Sequence, residues 1–173
     1  MRLFVAVWPA EPVLRILSGA RPTEATPGLR WVPLVNWHVT LAFLGDVPDD
    51  EHDELVEALR SIGASMPPCI ATLGPDTSVL GSQVLCVPVS GLDELAGTVR
   101  ACTAPFNRSS DREEAFFGHL TLARTRRGRA VPRVATGVPI CSAWPVSEIQ
   151  LVSSTAGRQG AEYSPVALVA LDG

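Results

Sequence analysis

The order of hydrophobic and polar residues predicts strands and helices that alternate along the whole chain. Short apolar runs between turn-forming residues are typical of strands, and they occur at 2–9, 69–74, 83–90, 115–125, 146–154 and 163–171. Apolar residues at i, i+4 and i+7 are typical of amphipathic helices, which we expect to begin near Pro12 and to lie within 48–63 and 91–106. Polar, Gly- and Pro-rich stretches predict loops at 20–28, 107–114 and 155–160.

This mixed order predicts one α+β domain over residues 1–173. A chain of 173 residues is of single-domain size, and no linker long enough to separate two domains interrupts it. One short pattern occurs twice, as NWHVTLAFLG at 36–45 and as GHLTLAR at 118–124. The two histidines lie 119 − 38 = 81 residues apart, close to half the chain length. We therefore expect two similar lobes that face each other, a bilobal domain.

The first copy of the pattern predicts a strand with one chemically active face. Side chains alternate along a strand, so residues i and i+2 lie on the same face. His38, Thr40 and Ala42 are therefore expected on one face, and Phe43 on the opposite apolar face. A small residue beside the imidazole and the hydroxyl leaves space there for a ligand.

The second copy predicts an equivalent face that carries His119, Thr121 and Ala123. Two imidazoles with pKa values near the unperturbed ~6.5 can act together as general base and general acid. Threonine hydroxyls can hold phosphoryl oxygens during displacement. The pair therefore indicates phosphoryl-transfer chemistry that needs neither a metal nor a carboxylate pair. His52, in the first turn of an acidic helix, is expected to be a solvated surface residue.

Composition removes several classes of function. All fourteen basic residues are arginine, so the lysine of a P-loop, of a Schiff base or of a lysyl-nucleotide adduct is absent. A net charge of −4 disfavours an overall duplex-binding surface. The four cysteines show no CxxC or Cys–His spacing, and no apolar run reaches the ~20 residues of a membrane helix. We expect a cytoplasmic protein with buried free thiols and no bound metal or cofactor.

The motifs HVTL and HLTL resemble those of the 2H phosphoesterase superfamily. In detail the chain resembles the RNA 2′,3′-cyclic phosphodiesterases, also called 2′-5′ RNA ligases, through MRLFVAV, NWHVTLAFLGDVP, GHLTLAR and EIQLVSSTAG followed by G-x-x-Y ending at Tyr163. The resemblance implies two pseudo-symmetric lobes of antiparallel sheet with flanking helices and a central catalytic groove. It implies a monomer that acts on RNA or a nucleotide with a 2′,3′-cyclic phosphate.

The resemblance also implies roles for individual residues. His38 would be the proton donor to the departing 3′ oxygen, and His119 the proton acceptor that activates water, which yields a 2′-phosphate. Thr40 and Thr121 would bind the phosphate. Arg124 matches an arginine at the end of the second motif, although strict alternation points it away from His119 unless the strand contains a bulge.

One position departs from the family pattern, which has Pro before the second histidine where this chain has Gly118. We expect the substitution to loosen the start of that strand without removing a reacting group.

Several alternatives stay open at the level of sequence. The arginines at 124, 126, 127 and 129 either guide an RNA backbone or form a solvated turn. Trp37 and Phe117 are both candidates to stack on a terminal base, whereas Phe43 is expected in the core. Other possible activities are hydrolysis of 2′,5′-oligonucleotides or of nucleotide-sugar cyclic phosphates, and ATP-independent 2′-5′ joining of RNA ends. A non-catalytic module that binds RNA ends is the alternative outside enzymology.

Overall fold

A computed structural model of the chain describes residues 1–19, 27–109, 115–157 and 160–173. Parts of the three predicted loops, at 20–26, 110–114 and 158–159, lie outside the described residues. The described residues form three α-helices, α1 (Glu11–Gly19), α2 (His52–Gly63) and α3 (Asp93–Thr103). They form ten strands, β1 (Arg2–Val7), β2 (Leu29–Trp31), β3 (Val39–Asp46), β4 (Cys69–Leu73), β5 (Ser78–Leu80), β6 (Val84–Ser90), β7 (His119–Thr125), β8 (Ser142–Val146), β9 (Glu148–Gly157) and β10 (Gly160–Ala170).

The strands form one antiparallel sheet that consists of two halves. The order across the sheet is β10-β9-β1-β3-β7-β6-β4-β8, with β2 added to β7 and β5 added to β6. The halves meet between β3 and β7, where the register gives one residue pair, Val39 with Leu120. The two strands that carry the histidine motifs are therefore central neighbours. The predicted α+β fold with two antiparallel lobes is confirmed.

The core lies between the sheet and its helices. The predicted apolar stripes are buried, with Leu55, Leu59 and Ile62 in α2 and Leu95 and Val99 in α3. Both helices have acidic residues in their first turn and an arginine in their last, which complements the helix dipole.

Three short strands, β2, β5 and most of β8, were not predicted from the sequence. Pro145 lies within β8 and argues against a strand at the level of sequence, because proline cannot donate a ladder hydrogen bond. The strand forms because it lies at the end of the sheet order, beyond β4, where one side of its backbone needs no partner strand.

Strand β3 contains an extra residue immediately after its threonine. Against β1, Thr40 pairs with Ala6 and Ala42 pairs with Val5, so Leu41 is inserted between two successive pairs. This two-against-one arrangement is a β-bulge, which reverses the alternation of the residues that follow. Leu41 and Ala42 are consequently both buried.

Strand β7 repeats the same irregularity at the equivalent position. Against β6, Thr121 pairs with Cys86 and Ala123 pairs with Leu85, so Leu122 is the inserted residue. Leu122 and Ala123 are both buried, as their counterparts in β3 are. The symmetry of the two lobes thus extends to the backbone geometry of the motifs.

The paired bulges correct two predictions. Ala42 and Ala123 are 6% and 0% exposed and belong to the core, so they do not leave space beside the imidazoles. Phe43 was expected in the core but is 47% exposed. Phe43 and Arg124 occupy equivalent positions just after the two bulges, and both line the same groove. Arg124 lies on the exposed side of β7 because the bulge at Leu122 reverses the alternation of the residues that follow. The sequence analysis had named such a bulge as the condition for this orientation.

Candidate active site

The backbone before β3 holds His38 in one orientation. His38 Nδ1 lies 2.7 Å from the carbonyl oxygen of Asn36. Because a carbonyl only accepts, Nδ1 carries the hydrogen and Nε2 is the nitrogen free to gain or lose a proton. This turn is fastened at two further points, since Asn36 Nδ2 donates to Ala161 O at 3.1 Å and Trp8 Nε1 donates to Val35 O at 3.2 Å.

Three aromatic rings surround His38. The ring centroids of Phe4, Trp8 and Tyr163 lie 5.1, 5.2 and 5.2 Å from the imidazole centroid, and Tyr163 approaches edge-on at 88°. Phe4 is itself buried, in a small apolar cluster separate from the main core. The imidazole is therefore largely removed from water, and its one hydrogen bond among the described residues is to the Asn36 carbonyl.

Burial lowers the pKa of His38 to about 4, because removal from water disfavours the charged imidazolium. The hydrogen bond to the Asn36 carbonyl raises the pKa, and the positive charges of His119 and Arg124 lower it further. At neutral pH the His38 side chain of the unliganded protein is thus a neutral imidazole.

His119 is held in the same way but in a different environment. Its Nδ1 lies 2.8 Å from the carbonyl oxygen of Phe117, again two residues earlier, so Nε2 is again the nitrogen that carries no hydrogen in the neutral ring. One ring stacks on it, that of Phe117 at 5.8 Å and 22°. The two imidazoles therefore share a tautomer, and they differ in how far aromatic rings enclose them.

The glycine before His119 makes the start of β7 tight rather than loose. Gly118 is buried, and its carbonyl accepts a hydrogen bond from Val89 N at 2.8 Å. A Cβ atom at position 118 would lie 2.2 Å from the Val89 carbonyl oxygen. The expectation of a loosened strand was wrong, because the absence of a side chain is what permits this close approach.

The antiparallel register brings the two motifs together. Val39 is paired with Leu120; in this antiparallel pair His38 lies on the side of Thr121, and Thr40 lies on the side of His119. Among the described residues, no hydrogen bond uses either threonine hydroxyl, so both are available to a ligand.

A groove of about 810 Å³ adjoins this cluster on the His38 side. Its lining includes Phe4 and Tyr163 from around His38, together with Phe43, Arg30 and Arg124. The groove therefore combines aromatic faces with guanidinium groups next to one imidazole, a combination suited to a base and a phosphate.

The other two candidates for stacking on a base, Trp37 and Phe117, differ in their exposure. Trp37 is fully buried, so it lies in the core and cannot stack on a ligand. Phe117 is 51% exposed beside His119.

The remaining histidine lies outside this site, whereas among the cysteines Cys86 pairs with Thr121 across β6 and β7. His52 is 15% exposed at its side chain, with Nε2 3.3 Å from the Val47 carbonyl and 3.7 Å from an Asp49 carboxylate oxygen. It is thus a half-buried anchor for α2 rather than a solvated residue. Of the four thiols only Cys86 is buried, and Cys141 is exposed.

The described ranges hold neither a candidate metal site nor a membrane-spanning helix. Within them, no cluster of three or more His, Cys, Asp or Glu residues is placed to hold a metal ion. The helices described there are all too short or too polar to cross a membrane.

The fold and the paired motifs define a 2H phosphoesterase, and comparison with known proteins agrees. A family profile described as LigT-like phosphoesterase matches residues 7–73. The RNA 2′,3′-cyclic phosphodiesterase of Geobacillus stearothermophilus is 30% identical over 128 residues, which cover 69% of this chain and 40% of that protein. The chain thus matches about two fifths of the length of this curated relative.

Solved structures match nearly the whole chain. TT0787 of Thermus thermophilus superposes with a TM-score of 0.88 at 26% identity, covering 99% of this chain and 98% of its own. E. coli LigT complexed with 3′-AMP superposes with a TM-score of 0.79 at 27% identity, covering 98% and 97%. These matches identify a LigT-like phosphoesterase domain in the chain.

The aromatic enclosure of His38 is the part of the site that the sequence analysis missed. A signal was present, because alternation in β1 places Phe4, Ala6 and the following Trp8 on one face. The apolar residues on both faces of β1 concealed which face lay toward the imidazole. Tyr163 was noted only as part of a resembling motif, and its contact with His38 depends on a strand pairing between distant parts of the chain.

Proposed function

We propose that this protein hydrolyses 2′,3′-cyclic phosphate ends of RNA to 2′-phosphates by metal-free acid/base catalysis. The observation that carries the proposal is the pair of imidazoles, each with Nδ1 bonded to the carbonyl two residues earlier and Nε2 free. Two such nitrogens, each beside a threonine hydroxyl, supply what an in-line displacement at phosphorus requires. The curated relative named an RNA 2′,3′-cyclic phosphodiesterase supports the choice of substrate.

In the proposed step, a water oxygen attacks phosphorus as the bond from phosphorus to O3′ breaks. His119 Nε2 accepts the proton that water loses, and His38 Nε2 donates a proton to O3′. The products are a 2′-phosphate and a free 3′ hydroxyl, and solvent then restores the two protonation states. Thr40 and Thr121 donate hydrogen bonds to the non-bridging oxygens, whose negative charge they stabilise.

The low pKa of His38 constrains this assignment. With a pKa of about 4, His38 carries no proton to donate in the unliganded protein at neutral pH. An anionic phosphodiester next to the ring favours the charged form and raises its pKa. His38 therefore acquires its proton together with the substrate.

The same observation favours a second assignment, in which the roles are exchanged. A neutral, enclosed His38 is ready to accept a proton from water, and the more open His119 would then protonate the leaving oxygen. With the substrate bound in the same orientation, this order breaks the bond to O2′ and leaves a 3′-phosphate. For a substrate bound in that orientation, the product isomer distinguishes the two assignments.

In this proposal the groove beside His38 binds the nucleoside that carries the cyclic phosphate. We infer that its base stacks on Phe43, which the bulge in β3 exposes beside the site. Arg124, at the equivalent position after the bulge in β7, contributes a guanidinium toward the phosphate. E. coli LigT has been crystallised with 3′-AMP, which supports a nucleotide ligand for this groove. We propose that the protein acts as a monomer, because both motifs come from one chain.

The test is a substrate panel with catalytic variants, run in EDTA. It contains an RNA oligonucleotide with a 2′,3′-cyclic end, a 2′,5′-oligonucleotide, a nucleotide-sugar cyclic phosphate, and a cyclic-phosphate RNA offered with a 5′-OH RNA. We expect turnover of the first substrate in EDTA, lost in His38→Ala and in His119→Ala. Turnover of another substrate alone would reassign the activity within the superfamily. Binding of the RNA end without turnover of any substrate would indicate the non-catalytic module.

A further inference from the structure

Two arginines lie directly opposite each other where β2 pairs with β7. The register places Arg30 opposite Arg124, and both side chains are exposed. Like charges in opposed positions of a strand pair are destabilising. None of the salt bridges found among the described residues involves either guanidinium. An anion bound between these two groups would relieve their repulsion.

The turn after β7 adds three further arginines on a braced backbone. Arg129 N donates to Arg126 O at 3.0 Å, and Gln83 Nε2 donates to the same oxygen at 3.2 Å. Thr125 N also donates to Gln83 O at 2.9 Å. Gly128 supplies the positive φ of 82° that the turn needs. The exposed side chains of Arg126, Arg127 and Arg129 are thus presented by a fixed turn.

The five residues Arg30, Arg124, Arg126, Arg127 and Arg129, here called the arginine surface, line a second groove of about 720 Å³. Arg30 and Arg124 also line the groove beside His38, so the two grooves adjoin at these residues. The chain has a net charge of −4, so everything outside the arginine surface sums to −4 − 5 = −9. Five positive charges thus lie together next to the groove beside His38.

We propose that the arginine surface binds the phosphates of a single-stranded RNA on the 5′ side of its terminal nucleotide. This inference rests on the proposed function for its orientation, because it places the 3′-terminal phosphate at His38 and His119. The phosphate on the 5′ side of the terminal nucleotide then lies between Arg30 and Arg124. The phosphates further toward the 5′ end lie along the turn that carries Arg127 and Arg129. Arginine suits this role, since its planar guanidinium pairs with phosphate oxygens in a bidentate manner. Oligonucleotides are therefore preferred over cyclic mononucleotides.

The test compares two double variants that remove the same charge. Arg127→Gln/Arg129→Gln alters the arginine surface, and Arg15→Gln/Arg60→Gln alters exposed arginines of α1 and α2 that are paired with Glu11 and Glu57. Binding of a fluorescent RNA octamer ending in a 2′-phosphate is measured by anisotropy at several salt concentrations. Hydrolysis of a 2′,3′-cyclic mononucleotide is measured in parallel.

We expect Arg127→Gln/Arg129→Gln to weaken octamer binding on the order of tenfold at low salt, since two exposed charge contacts contribute about that factor. The slope of log affinity against log salt should fall by roughly 1.4, at ~0.7 per phosphate contact on single strands. The control variant should bind like wild type, and all three proteins should hydrolyse the mononucleotide equally.

Equal octamer affinity and salt slope in wild type and Arg127→Gln/Arg129→Gln would overturn the proposal, as would an equal loss in the control. An octaglutamate peptide that binds as tightly as the octamer, and loses binding in the same variant, would overturn the assignment to RNA. Absence of mononucleotide and oligonucleotide hydrolysis would count against the proposed function. The anisotropy measurements would still decide whether the arginine surface binds RNA.

Discussion

Replacement of His38 by glutamine should remove one pH-dependent contribution to the stability of the folded protein. The buried imidazole has a pKa of about 4 in the folded chain and ~6.5 when unfolded. Between these values the unfolded chain binds one more proton than the folded chain. The free energy of unfolding therefore decreases as the pH falls from 6.5 toward 4. Glutamine fills similar space and does not titrate, so His38→Gln lacks this decrease.

The magnitude follows from the two pKa values. Their difference of about 2.5 units, at ~1.36 kcal/mol per unit, corresponds to roughly 3 kcal/mol. The contribution is fully present above pH 6.5 and fully lost below pH 4. Carboxylates and His52 are common to both proteins, so their effects cancel in the difference between wild type and variant, whereas the charge of His119 acts on His38 and is part of that difference.

The assay is urea denaturation of both proteins at pH 7, 5.5 and 4.5. We expect the stability of wild type relative to His38→Gln to decline steadily across this series. A difference that stays constant from pH 7 to pH 4.5 would refute the argument, because it would mean that the aromatic rings do not keep His38 neutral. An NMR titration of the His38 ring in wild type gives the same pKa directly.

Three further variants test separate parts of the site. Thr121→Val keeps the shape of the side chain but removes a phosphate donor, and should lower kcat about 100-fold without changing the melting temperature. Gly118→Ala should lower stability by about 1–3 kcal/mol through its clash with Val89 O, and an unchanged denaturation midpoint would contradict the packing. Phe43→Ala should raise KM about tenfold while kcat is retained, since stacking contributes ~1–3 kcal/mol per base; an unchanged KM would place the base elsewhere.

The sequence carried enough information to locate both histidines, because their signal was local. A five-residue pattern of His, aliphatic, Thr, Leu and Ala predicted strands with a reactive face, and His38 and Thr40 lie as that pattern required. The repeat predicted two similar lobes that face each other, and the structure shows that the two motif strands, β3 and β7, pair where the lobes meet.

The bulges were not predictable from the same pattern. Neither motif has a glycine or proline at the inserted residue, Leu41 or Leu122, so nothing local marks the break in alternation. The break depends on the partner strands β1 and β6, which lie far away in sequence. Strict alternation therefore misplaced Phe43, the residue that most changes the description of the groove.

The lowered pKa of His38 was likewise beyond local reasoning. It depends on rings from β1 and β10, at opposite ends of the chain, that pack against a strand between them. Position 38 alone indicates an ordinary imidazole near pKa ~6.5.

The most direct test of the central claim is the identity of the product formed from an RNA oligonucleotide with a 2′,3′-cyclic phosphate end. The two-histidine mechanism predicts turnover that requires both His38 and His119, and the proposed assignment predicts a 2′-phosphate. A 3′-phosphate would keep the mechanism but exchange the roles of the histidines or reverse the bound substrate. Full activity in either His38→Ala or His119→Ala would contradict the account, because one imidazole would then suffice.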